Sequence, residues 1–373
     1  MPPAPKEPPK LLHVFPSFNV GGAQVRFTTV ANHFGAAFSH YLMAMDGDYE
    51  CCERLNSNLR FEILRVPLHK GQILHNLYGF RKTLNRLRPT LLVTHNWGSI
   101  EWAMANWFQL TRHIHIEDGF GREEATSQFL RRVWTRRVFL RNSIVVVPSL
   151  TLKRIALDIW RLPPSRVLYI PNGIDCERYG ELHRAPSQVS SLKPTIGIVS
   201  ALRPEKNVSR LIRAFAQAKR TVDCRLLIVG DGPERTALED LIRALGLTDA
   251  VTLTGHLDDP TIAYAQIDVF ALSSDTEQMP YTIIEAMAAG LPIVATNVGD
   301  VSEMVSPRNL PYIVPPNSEQ LAQALLHILR DPESRVRIGA ANREKARANF
   351  DQRRMLERYG KIFRAEPDTL LSV

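Results

Sequence analysis

No stretch of the chain approaches the roughly 18 consecutive apolar residues that a helix needs to cross a bilayer, so a soluble or peripheral protein is expected. Cysteine is scarce, with four in 373 residues, at positions 51, 52, 176 and 224. Cys51 and Cys52 are adjacent and the other two isolated, which lacks the paired spacing of a zinc knuckle and points to reduced thiols in a cytoplasmic setting. Met1 to Lys10 hold five prolines and no apolar run, so they read as a flexible tail and not as a signal peptide. No Gly-x-Gly-x-x-G turn follows the first apolar segment, which argues against a dinucleotide-dependent dehydrogenase. No RNA- or DNA-binding motif is present, so nucleic acid is not an expected partner. Nor is there a repeat at solenoid period.

What is there suits a two-domain α/β protein. Hydrophobic residues make up 45% and charged residues 23%, ordinary values for a globular chain, and the length exceeds what one core usually holds. Short apolar segments alternate with longer amphipathic ones, the pattern of a parallel sheet with helices on both faces. Leu11–Phe15, His40–Met45, Glu62–Val66, Leu91–His95, Ile114–Glu117 and Ile144–Pro148 read as strands of a first sheet. Thr195–Ser200, Arg225–Val229, Val251–Thr254, Val269–Leu272 and Ile293–Thr296 read as a second, with Val208–Lys219, Glu234–Leu245 and Thr282–Ala289 as helices between them. The expected organisation is a tail over 1–10, one Rossmann-like domain over 11–185, another over 186–352, and a basic amphipathic helix within 353–373 packing back on the first domain. Net charge is +8, and the whole excess lies before residue 180. That asymmetry suits a first lobe that meets a membrane surface or a phosphate-bearing partner.

The motifs fall at predicted strand ends, where open α/β sheets bind ligands. After Val269–Leu272 comes Ser273-Ser274-Asp275-Thr276-Glu277-Gln278-Met279-Pro280, then a helix with Glu285 inside it, stopped by Gly290. The start of that helix offers unpaired N–H groups and a positive dipole end, which suit a phosphate, and the two carboxylates suit sugar hydroxyls. Helix capping or a surface position for Glu277 is the plainer alternative. After Thr195–Ser200, Arg203 and Lys206 place two cations at another strand end; a surface ion pair with Glu205 is the alternative there. Val229-Gly230-Asp231-Gly232-Pro233-Glu234 and Gly21-Gly22-Ala23-Gln24 are turns whose glycines permit close backbone approach, or are plain tight turns.

Taken together, these segments resemble the retaining glycosyltransferases of family 4, which have the GT-B fold. Glu-Gln-Met-Pro followed by Glu-Ala-Met-Ala-x-Gly-Leu-Pro matches that family's Glu-x7-Glu signature nearly residue for residue. The resemblance implies two Rossmann-like domains facing across a cleft, the first on the acceptor side and the second holding a nucleotide-sugar donor. By it, Glu277 bonds the transferred sugar and Glu285 the ribose hydroxyls. Gln278, Met279, Pro280, Tyr281 and Thr282 lie by the sugar and diphosphate, and Gly230, Gly232 and His256 border the nucleotide. Arg203 and Lys206 stabilise the leaving diphosphate, although many relatives carry arginine where this chain has Ala201. Gly21 and Gly22 let the donor approach the first domain. His115 stands where the family often has a histidine near the sugar, with His95 and His113 as neighbours on similar strands and Asp118 as an alternative contact. Pro171-Asn172-Gly173-Ile174-Asp175 also matches the family and reads as hinge geometry.

The resemblance further implies a hexose-type transfer with retention by front-face attack, without a protein nucleophile, cofactor or metal. UDP is slightly favoured over GDP, and the expected acceptor is a glycan or lipid-linked glycan of bacterial envelope polysaccharide, lipopolysaccharide or glycolipid synthesis. Asp46-Gly47-Asp48 has the Asp-x-Asp form of metal-dependent glycosyltransferases of another fold, but it follows an early strand away from the expected donor diphosphate. Within Ser127–Asn142, Phe129, Val133, Trp134, Val138 and Phe139 could form one stripe with Arg131, Arg132, Arg136, Arg137 and Arg141 around it. Such a helix either faces the core or lies on an anionic leaflet at the cytoplasmic face of the inner membrane. A nucleotide-sugar epimerase of the same fold and a non-catalytic nucleotide-sugar-binding subunit are the rival functions.

Overall fold

The computed structural model describes residues 7–120, 124, 127–181 and 193–365. Contacts divide the chain into two compact units, Met1–Ile170 with Leu356–Val373, and Pro171–Met355. The division comes ahead of the expected 185/186 because the short helix Cys176–Gly180 packs on the helix Tyr281–Ala288, with Cys176 and Tyr179 in the core of the second unit. Residues 182–192 of the polar stretch expected to carry the boundary lie outside the described residues. The final helix, Gln352–Arg364, is shared between the units: from Leu356 on it belongs to the first, where Phe363 packs edge-on against His13 and Phe38.

The first unit is a seven-stranded parallel sheet of β1 (Lys10–Phe15), β2 (Ser39–Ala44), β3 (Phe61–Ile63), β4 (Leu91–His95), β5 (Arg112–Ile116), β6 (Ile144–Val147) and β7 (Val167–Tyr169). Their spatial order is β3-β2-β1-β4-β5-β6-β7. The second unit is a six-stranded parallel sheet of β8 (Thr195–Val199), β9 (Arg225–Val229), β10 (Val251–Gly255), β11 (Val269–Leu272), β12 (Ile293–Thr296) and β13 (Ile313–Val314), in the order β10-β9-β8-β11-β12-β13. Both follow the doubly wound order, in which the sheet grows one way from its first strand and then the other. β8 and β11 are neighbours across that reversal. The near-continuous apolar runs of these strands follow from helices covering both faces. The helix Val208–Lys219 shows how: Val208, Leu211, Ile212, Phe215 and Ala218 recur at helical spacing and are buried, and the Asn207 side chain caps it by accepting from the Arg210 N–H.

The first unit has a polar interior that its strand pattern did not announce. His13, His40, His95 and His115 are buried in the sheet, and His95 stacks on Phe15 with ring centroids 3.7 Å apart. Arg136, expected on a solvated helix face, is instead buried. The helix Leu130–Phe139 turns Arg136 inward to an ion pair with buried Glu117, Nε to Oε2 3.0 Å, among Trp97, Phe120 and Trp160. Of the apolar stripe read from the sequence, Phe129 and Trp134 are exposed while Val133, Val138 and Phe139 are half-buried, so the stripe is corrected at those two positions, with paired Arg136 on the inward face.

Candidate functional site

Two loops meet at the carboxyl ends of β8 and β11, the switch point of the second sheet. The β8 loop carries a short 3-10 turn, Pro204–Lys206, followed by Asn207 in the left-handed region. Four bonds lock it to the β11 loop. The Asp275 N–H donates to Glu205 O at 2.8 Å, and the Ser273 hydroxyl donates to Lys206 O at 3.1 Å. Arg210 donates to Ser273 O and to Asp275 Oδ1, at 2.8 and 2.7 Å. The result brings two sequence-predicted residues into contact: Lys206 Nζ donates to Glu277 Oε1 at 2.6 Å, and Ser274 Oγ donates to the same oxygen at 2.7 Å. Lys206 therefore pairs with Glu277 and not with Glu205. The Glu277 side chain is only 9% exposed, so the pair sits in a partly dehydrated place where its charges count for more than on open surface.

Behind Glu277 the backbone is fixed from two sides. The Asp300 N–H donates to Gln278 O at 2.9 Å. Gly299, at φ 56°, lies so close that a Cβ would come within 2.2 Å of Glu277 O. Asn172 donates its side-chain amide to Met279 O at 2.9 Å. Pro280 then opens the helix Tyr281–Ala288 with no side chain capping its start, so Tyr281 and Thr282 stand at an uncapped, electropositive end. Glu285, one turn further, accepts from the Tyr264 hydroxyl at 2.6 Å and is also bonded by Tyr179. Burial pushes the Glu285 carboxyl above its ordinary value, with the two tyrosines and Arg178 pulling the other way.

The remaining expected residues are distributed unevenly. Gly230, at φ 132°, packs so tightly on the β8 loop that a Cβ would lie 1.9 Å from Ser200 O, so its lack of a side chain serves loop packing. Gly232 lies similarly over Leu202. His256 is exposed just after β10, whose final residue Gly255 accepts from the Gly230 N–H. Arg203 is exposed, and no described residue holds its side chain. Gly21 and Gly22 begin the helix Gly22–Phe34 in the first unit. His115 is wholly buried there: its Nδ1 lies 2.8 Å from Thr94 Oγ1 and its Nε2 3.5 Å from Glu117 Oε2. Burial raises the Glu117 carboxyl, but Arg136 and His115 pull it below the ordinary value overall. Asp118, at the carboxyl end of β5, pairs with buried Arg26 at 2.5 Å. Asp46 and Asp48 accept from backbone N–H groups of Asp48 and Glu50, as turn residues do. Among the described residues no cluster of three or more metal-ligating side chains is present.

Sequence reasoning missed Ser274, Tyr264 and Tyr179, and read Asn172 only as a hinge. The Pro-Asn-Gly turn was a signal for Asn172; the tyrosines had none, because they lie 21 and 106 residues from Glu285 in the chain.

Comparison with known proteins agrees with this arrangement. The Glycosyltransferase Family 4 model matches residues 20–178, and the Glycosyl transferases group 1 model matches residues 181–345. A GDP-mannose-dependent alpha-(1-6)-phosphatidylinositol monomannoside mannosyltransferase of Mycobacterium tuberculosis is 31% identical over 204 residues, 50% of this chain and 53% of that protein. N-acetyl-alpha-D-glucosaminyl L-malate synthase of Bacillus anthracis is 30% identical over 44% of each chain. The chain thus spans about half the length of the curated relatives it matches. Among solved structures, Anabaena HepE in complex with UDP has a TM-score of 0.79 at 20% identity, covering 95% of this chain and 100% of that one. A glycosyltransferase from Rickettsia africae has 0.77 at 18%, covering 98% and 100%. At those identities the likeness is one of fold. With one family model on each doubly wound unit and the Glu-x7-Glu segment at the switch point of the second, the chain belongs to the group 1, family 4 glycosyltransferases of GT-B fold.

Proposed function

We propose that the chain transfers a hexose-type sugar from a nucleoside-diphosphate sugar to a glycan or lipid-linked acceptor, with retention and without a metal ion. The contact of Lys206 with Glu277 beside the uncapped start of the helix Tyr281–Ala288 carries this reading. Lys206, Arg203 and the helix start supply positive charge where a departing diphosphate gains negative charge. Glu277 takes the sugar hydroxyls and Glu285 the ribose diol. The diphosphate itself helps remove the acceptor's proton, so neither glutamate forms a glycosyl-enzyme. The donor base is uracil or guanine: the M. tuberculosis relative is named for GDP-mannose, and HepE was solved with UDP. Thermal stabilisation by a panel of UDP-, GDP-, ADP- and CMP-sugars, with and without EDTA, tests the donor site. One base is expected to raise the melting temperature, regardless of EDTA, and Glu285→Ala to abolish the rise. A shift that persists in Glu285→Ala would take Glu285 out of the donor site.

The acceptor side favours a lipid. The exposed face of the helix Leu130–Phe139 presents Leu130 and Trp134, 86% and 62% exposed, alongside Arg131 and Arg137. The helix Ile73–Leu87 exposes Leu74 and Tyr78, at 82% and 70%. Aromatic and aliphatic side chains among arginines suit the interface of an anionic leaflet, such as the cytoplasmic face of a bacterial inner membrane. Co-sedimentation with vesicles containing about one-third anionic lipid is expected to be lost in Leu130→Ser/Trp134→Ser; equal recovery on neutral vesicles would refute the electrostatic part. No helix among the described residues is long and apolar enough to cross a membrane.

A further inference from the structure

The Glu285 carboxylate is held by more than its own helix. Tyr264 ends the helix Thr261–Tyr264, and its hydroxyl reaches Glu285 Oε2 at 2.6 Å, with Thr282 O 3.4 Å away as a second acceptor. Tyr179 comes from the helix Cys176–Gly180, bonds the same carboxyl, and meets the Tyr264 ring edge-on at 5.6 Å between centroids. Both rings are buried, at 7% and 2% exposure. The cation nearby is Arg178, whose guanidinium is engaged by Asp259 at 2.8 Å. Arg343, from the helix Pro332–Asn349, bonds the carbonyls of Ala288 and Ala289 at the opposite end of the Glu285 helix.

We propose that Tyr264 and Tyr179 are positioning residues for the nucleotide: two phenol donors on separate helices aim the Glu285 carboxyl so that it presents an acceptor to a vicinal ribose diol. This rests on the donor-site reading of Glu285 given above. A glutamate has three side-chain torsions, and holding one rotamer before the ligand arrives removes an ordering cost from binding. A hydrogen bond to the charged form also favours that form. Neither tyrosine need touch the nucleotide.

Tyr264→Phe keeps the ring and removes only the donor. Its donor KM is expected to rise about tenfold with kcat within about twofold, because a ground-state and transition-state contact weakens equally. Titrations of the full-chain wild type, Tyr264→Phe, Tyr179→Phe and Glu285→Ala decide the matter, with UDP and GDP and their 2′,3′-dideoxy counterparts as probes. In the wild type the ribonucleotide of the preferred base should bind more tightly than its dideoxy form; in Tyr264→Phe that ratio should shrink several-fold. The acid limb of ribonucleotide binding should move to higher pH, since losing a donor lets the Glu285 carboxyl rise further and protonate sooner. Tyr179→Phe should do the same to a smaller degree, which guards against a folding defect in one variant. An unchanged ribo/dideoxy ratio and pH limb in both folded variants would overturn the proposal. If Glu285→Ala itself leaves the ratio intact, the donor-site reading of Glu285 fails, and the tyrosine proposal fails with it. Loss in Glu285→Ala with no effect of either tyrosine variant overturns the positioning role alone.

Discussion

Lys206→Ala is expected to lower kcat by roughly 10²–10³, the cost of removing one preorganised charge from a developing anion, while the fold survives. The lysine reaches Glu277 from the β8 loop, and that loop is fixed by Asp275, Ser273 and Arg210 through contacts that do not involve its ammonium. Glu277 keeps the Ser274 hydroxyl, so the variant does not strand a buried carboxylate with no donor. The deficit should therefore appear in turnover more than in melting temperature. Lys206→Arg should recover only part of it, because a planar guanidinium on a longer stem does not place a point charge in the same spot. Steady-state kinetics with the donor found by thermal shift is the measurement. A kcat within threefold of wild type in Lys206→Ala would remove this lysine from the chemistry.

The second large effect is acid unfolding of the first unit. Burial holds His13 and His95 well below 6.5, His40 at about 4 and His113 at about 3. Neighbouring charge adds to burial: His40 and His95 act on His13, Arg26 and His115 on His95, and His115 on His113. In the unfolded chain each histidine takes its proton below about pH 6.5, while the folded unit refuses it. The unfolded state then binds more protons, so stability falls as pH falls. Each histidine contributes about 1.4 kcal/mol per pH unit to that slope, and four act together between about pH 6 and the point near 4 where His40 accepts a proton in place. All five tryptophans lie before residue 161, so tryptophan fluorescence reports this unit selectively. Its melting temperature should drop steeply from pH 6.5 to 4.5. His95→Phe, which keeps a ring against Phe15, should flatten the slope by about a quarter, one histidine of four. A melting temperature independent of pH across that window would contradict the buried, neutral reading of these rings.

How much of this was legible in the sequence depends on whether a residue's partner lies close by in the chain. The second sheet reads almost strand for strand from its apolar runs, and helix Val208–Lys219 was placed to the residue by its spacing. Glu277, Glu285 and Lys206 stand out through the family resemblance of short segments in which a strand end, a loop and a helix start follow one another. Arg136 lies inward against the rule that helical periodicity turns charge outward, because Glu117, 19 residues earlier, and Glu124 hold it among aromatic rings. The same limit hid Tyr264 and Tyr179, ordinary aromatic positions until the fold sets their hydroxyls on Glu285. His115 stands out through its strand end and the family resemblance, and neither reveals that Thr94 and Glu117 enclose it.

The segment from Pro171 to Gly180 enters the second unit by threading beside its signature loop, with Asn172 on Met279 at one end and Tyr179 on Glu285 at the other. A seam drawn where sequence suggests it, near residue 185, would cut this segment away. Any chimera that exchanges the second unit between relatives must therefore begin at Pro171, or its grafted half will arrive without the side chains that hold Met279 and Glu285 from this segment.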